Sequence, residues 1–81
     1  MNDSEHQIIL DLLALNVRDL RSNLGISQEE LAFRAGIDRT FVSKIERSQA
    51  NPSLKILVQI SKELGVPLVQ LFLKRAEKNA E

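Results

Sequence analysis

The sequence predicts an all-α domain of five helices joined by short connections. Three observations predict it. Apolar residues recur at three- and four-residue spacings along most of the chain, glycine or proline stands between the periodic segments, and no β-type alternation appears. With 81 residues, the chain is read as a single domain over 1–81, near the lower limit at which one core holds without a staple. The absence of cysteine rules out disulfides and Cys-based zinc sites, so apolar burial must hold the fold. The apolar fraction of 43% suffices for a core, and with three Phe and no Trp or Tyr that core must be mostly aliphatic.

The first helix is expected over 4–24. Ile9, Leu13, Val17, Leu20 and Leu24 form its main stripe, and Ile8, Leu12 and Leu15 widen it. Ser4 or Asp3 can cap its start and Gly25 is placed to end it. Arg18 and Arg21 lie off the stripe and read as a solvated face. A second helix, 28–35, opens on Ser27 with Glu30 at the capping-box spacing, carries Leu31, Ala32 and Ala35, and stops at Gly36. Asp38 caps a third, 39–47, with Val42 and Ile45 facing inward. Asn51-Pro52 breaks the chain, and Ser53 caps a fourth helix, 54–64, through Leu54, Leu57, Val58, Ile60 and Leu64 to Gly65. Pro67 starts a fifth, 68–77, through Leu68, Leu71, Phe72 and Ala76, before a charged tail that is expected to fray.

The stretch from Ser27 to Arg47 organises the rest. Ala32 is small where two steeply crossing helices must touch, and a larger side chain would cost roughly 1–3 kcal/mol in overpacking. Gly36 can take the left-handed backbone a tight turn needs. Ile37, Val42 and Ile45 anchor the third helix, so its opposite side must face out. Together these positions describe a helix-turn-helix, whose second helix enters the major groove of DNA.

From about Asn16 to Phe72 the chain resembles the phage-repressor and Cro type of domain, the five-helix lambda-repressor-like fold. SQEELA, the glycine turn, VSKIER, the NPSL start of the fourth helix and the KELGV ending carry the resemblance. Within that family, DRTFVSKIER and the short length look like the controller proteins of bacterial restriction–modification systems. The resemblance implies a small dimeric regulator that binds operator DNA upstream of its own gene, both activating and repressing. A phage-type repressor is the nearby alternative. The rival of another class is an antitoxin or adaptor that uses the same fold to bind protein.

Arg39, Thr40, Ser43 and Lys44 fall on the outer side of the third helix and are the candidate base contacts. Arginine can grip guanine O6 and N7 with two donors, lysine less rigidly, and the hydroxyls can donate, accept or meet a thymine methyl. Gln28, with Ser27, stands at the start of the second helix, where N–H groups favour an anion, and the resemblance implies a phosphate contact there. Arg47, Asn51 and Ser53 surround the loop into the fourth helix and are further phosphate candidates. Phe41 has two places open to it, the edge of the core or the DNA backbone. Ala50 and Ser48 stand where relatives often carry a basic residue and a glycine, which bears on how many phosphates this loop touches. Glu46 reads as an intramolecular partner for an arginine such as Arg34.

Formal net charge is zero, which argues against nonspecific coating of nucleic acid. Basic residues nevertheless gather in 34–47, as Arg34, Arg39, Lys44 and Arg47, while 1–11 hold none. No paired-carboxylate, nucleophile–base or phosphate-loop pattern appears, and His6 has no second ligand beside it. No catalytic site, metal, cofactor or small-molecule ligand is expected, and without a signal pattern or bilayer-length apolar run the expected location is the bacterial cytoplasm. One helix-turn-helix reads too few bases for specificity, so a homodimer is expected. The resemblance places its contact on the fifth helix, where Leu68, Val69, Phe72 and Leu73 offer more apolar area than one inner face needs. Glu29, Glu30 and Glu46 are acidic candidates for a contact with RNA polymerase.

Overall fold

Leu13, Val17, Leu31, Ala32, Ala35, Val42, Ile45, Leu57, Ile60, Leu64 and Leu71 come together in one aliphatic core, as the helical spacing requires. In the computed structural model, which describes residues 3–74, they are delivered by four α-helices and a short 3-10 turn. The helices are α1 (Asp3–Leu24), α2 (Gln28–Ala35), α3 (Arg39–Glu46) and α4 (Leu54–Leu64), and the 3-10 turn is Leu68–Phe72. No strand occurs among the described residues. The long α1 packs on α3, α4 and the 3-10 turn, while α2 packs on α3 and α4.

The short helices are held at their ends. Ser27 Oγ accepts from Glu30 N–H at 3.0 Å, Asp38 Oδ1 from Thr40 N–H at 2.9 Å, and Ser53 Oγ from Ile56 N–H at 3.2 Å. Each bond satisfies a first-turn donor that the helix itself cannot. The capping box at Ser27 is only half used, because the Glu30 carboxylate turns to Arg34 Nε at 2.8 Å. Between α2 and α3, Gly36 sits at φ 71°, ψ 32°, and the next N–H, that of Ile37, reaches back to Ala32 O at 3.0 Å. That closes the end of α2 in one residue and swings α3 across it.

Ser4 lies within α1 (Asp3–Leu24), and one expectation needs correction. The fifth element is a 3-10 turn of five residues, not an α-helix, and Leu73 beyond it is extended at φ −87°, ψ 138°. The cause is Asn16, a buried amide on α1 whose Nδ2 donates to Leu71 O at 2.8 Å and to Leu73 O at 2.9 Å. Those two bonds hold the end of the turn against α1. The rest of the expected fifth helix, including Ala76, and the charged tail lie outside the described residues from 75 on.

Candidate nucleic-acid interface

Helix α3 divides by burial. Val42, Ile45 and Glu46 are buried, Arg39, Thr40 and Lys44 are exposed, and Ser43 is half-buried beside them. All four candidate base contacts therefore share the side of α3 that the core leaves open. Ser43 Oγ already accepts from Arg47 Nε at 3.2 Å, which leaves its hydroxyl proton for another acceptor. Arg47 caps the C-terminus of α3, and its Nη1 also donates to Gln49 Oε1 at 3.0 Å.

The phosphate candidates are less uniform. Asn51 is exposed, Ser27 and Ser53 are exposed but serve as caps, and Phe41 packs at the edge of the core. Ala50 is buried against that core, so it offers no contact to a phosphate. Ser48 holds φ 61°, a left-handed conformation that favours glycine.

A buried carboxylate sets the frame on which these residues stand. Glu46 is 3% exposed. Its Oε2 accepts from Arg21 Nε at 2.7 Å, and its Oε1 from Arg21 Nη2 at 3.0 Å and Gln28 Nε2 at 3.0 Å. Arg21 Nη1 donates to Ile26 O at 2.8 Å, and Arg18 Nη2 to the Glu46 carbonyl at 2.7 Å. The hydrogen bonds to Glu46 hold the Arg21 guanidinium above its already high ordinary pKa, so the charge is permanent. Glu46 and Arg21 together thus tie α1, the turn after it, the start of α2 and the end of α3.

This network corrects two expectations. Arg21 is not on a solvated face, and Arg18 is only partly so; periodicity placed them off the stripe, but not which helix would cross there. Glu46 pairs with Arg21 and not with Arg34, whose partner is Glu30 one turn earlier on the same helix. Gln28, the expected phosphate anchor, spends one amide hydrogen on Glu46 and keeps a second on the same nitrogen. Sequence reasoning also passed over Phe33, which is 81% exposed on α2, a cost no core residue requires.

Of the four residues expected at a dimer contact, Val69 and Leu73 are exposed, while Leu68 and Phe72 are half-buried and pack on the core. Among the described residues, no group of three or more His, Cys, Asp or Glu side chains could hold a metal ion. No described helix is long and apolar enough to cross a membrane.

Two capped helices joined at a left-handed glycine, with the second turning a basic and hydroxyl face outward, define a helix-turn-helix protein. The chain belongs to the helix-turn-helix family, which it matches over residues 17–71. It is similar to a hypothetical transcription factor of Neisseria meningitidis, 42% identical over 74 residues, covering 91% of this chain and 70% of the relative. It is also similar to the control protein C.SmaI of Serratia marcescens, 34% identical over 73 residues and covering 90% of this chain and 87% of the relative. Among solved structures, the restriction–modification controller protein C.AhdI of Aeromonas hydrophila superposes with a TM-score of 0.76 at 38% identity, over 78% of this chain and 96% of that one.

Proposed function

We infer that this protein is a sequence-specific transcriptional regulator of the controller type, binding operator DNA upstream of its own gene as a homodimer. The observation that carries the reading is the outer face of α3, where Arg39, Thr40, Ser43 and Lys44 stand together while Val42 and Ile45 anchor the opposite side. The likeness to control proteins supports the restriction–modification setting. In this reading Arg39 and Lys44 read bases in the major groove, Thr40 and Ser43 add hydroxyl contacts, and Gln28, Arg47, Asn51 and Ser53 hold the backbone. The second copy supplies the second half-site, about 34 Å away on the same face of the duplex. An activating contact with RNA polymerase would fall to Glu29 and Glu30; Glu46 drops out because it is buried.

The test is a mobility shift on the DNA upstream of the gene, comparing wild type with Arg39→Ala. Loss of about 1–3 kcal/mol, together with relaxed base preference, is the expected result. Absence of binding by wild type at low as well as high salt would favour the adaptor reading.

A further inference from the structure

We propose that Gln49 is the positioning residue for Arg47, holding its guanidinium ready to grip a DNA phosphate at the C-terminal end of α3. This rests on the DNA-binding reading above and adds a residue that acts through Arg47. The loop after α3 is built to bring the two side chains together. Ser48 turns left-handed at φ 61°, its N–H donates to Ile45 O at 3.1 Å, and the Gln49 N–H reaches back to Lys44 O at 2.8 Å. That closure folds Gln49 back onto the last turn of the helix. The unfavourable backbone of Ser48 therefore serves a placement.

Arg47 is held from two sides. Its Nε donates to Ser43 O at 3.3 Å and to Ser43 Oγ at 3.2 Å, and its Nη1 donates to Gln49 Oε1 at 3.0 Å. Ser43 lies one turn before Arg47 and Gln49 two residues after it, so the planar head is fixed at its neck and at one corner. Of the five N–H groups of a guanidinium, one is engaged by Ser43 and one by Gln49, which leaves three for an outside acceptor.

The chemistry of what remains selects the partner. The open N–H groups of Arg47 only donate, and so does the Gln49 amide nitrogen, whose oxygen is already taken. A phosphodiester only accepts, whereas most base edges in the major groove mix donors with acceptors. Arg47 also stands past the last residue of α3 and is exposed, with the exposed Asn51 shortly after it. An arginine free to move loses its rotamer freedom when it binds. One already held does not, so the Gln49 bond strengthens DNA binding without touching DNA.

Mobility shifts on the DNA upstream of the gene, over a salt series, test this with wild type, Arg47→Ala, Gln49→Ala, Gln49→Met and the double alanine variant. Arg47→Ala should weaken binding evenly across DNA carrying single base changes and flatten the salt slope by about one. Gln49→Ala should weaken binding about three- to tenfold with an unchanged melting temperature. Gln49→Met, which keeps the length and loses the acceptor, should do the same. The double variant should bind like Arg47→Ala, within about twofold. Gln49 variants that bind like wild type overturn the proposal. So does an equal loss from Gln49→Ala when Arg47 is already absent, because Gln49 would then touch DNA itself. Weakening that comes with a melting temperature several degrees lower makes Gln49 a support of the loop and not of the arginine. Relaxed base preference with Arg47→Ala makes Arg47 a base reader and overturns the phosphate grip. Wild type that binds no DNA overturns the reading beneath it as well.

Discussion

Ser48 is the one non-glycine residue with a left-handed backbone among those described, at φ 61°. An L side chain costs roughly 1–2 kcal/mol there, because Cβ crowds the following carbonyl. Its hydroxyl is used: it bonds the Asp11 carboxyl and, with Gln7, holds that group below its ordinary pKa of 3.8. Asp11 is fully exposed, so this bond offsets little of the strain. Ser48→Gly should therefore raise stability by about 1 kcal/mol, a gain of roughly 4–8 °C in melting temperature for a domain this size. The pH dependence has a definite sign. A carboxyl whose folded pKa is lowered contributes fully above 3.8 and loses that contribution as pH falls through the lowered value. Ser48→Gly should flatten that acid-side loss, and thermal melts between pH 5 and pH 2 would check it. Gly36 is the converse case. A Cβ there would meet no heavy atom within 4 Å, so Gly36→Ala should cost only the backbone term, about 1–2 kcal/mol. A loss well above that in urea titration would mean a contact the turn does not have.

At the scale of elements, the pair of buried Glu46 and half-buried Arg21 fixes how α3 lies against α1 and the start of α2. Glu46→Ala leaves the half-buried Arg21 and Gln28 without their acceptor and should cost roughly 1–3 kcal/mol, whereas the double change Arg21→Met with Glu46→Leu should recover most of it. Urea denaturation of the single and double variants decides this. Asn16→Ala strips two carbonyls of their donor and should cost roughly 1–3 kcal/mol. These two elements also mark where sequence reasoning stops. The amphipathic spacing of α1 was readable because a helix repeats every few residues. The partners of Arg21 and Asn16 were not, since they lie 25 and 55 residues away and depend on how the helices cross. The short apolar run Leu68–Phe72 suits a 3-10 turn as well as an α-helix, and the Asn16 bonds that hold its end against α1 cannot be read from the run itself.

For the whole molecule, the scaffold was legible almost entirely. Leu31, Ala32, Val42 and Ile45 are buried, Ile37 is half-buried, and Gly36 takes the left-handed turn. That follows because a small helical domain must spend its apolar residues on one core, which periodicity reveals. The outward placement of Arg39, Thr40 and Lys44 was readable by subtraction, as the face the core leaves over. What they touch is a property of the complex, and so is the partner for the exposed Ile8, Leu15 and Val69. The central claim is that the open face of α3 reads operator DNA in two copies. Nuclease footprinting on the DNA upstream of the gene tests it most directly. The expected result is a pair of protected half-sites about 10 base pairs apart, lost with Arg39→Ala at the same protein concentration. No protection at low salt, where phosphate contacts are strongest, would contradict it.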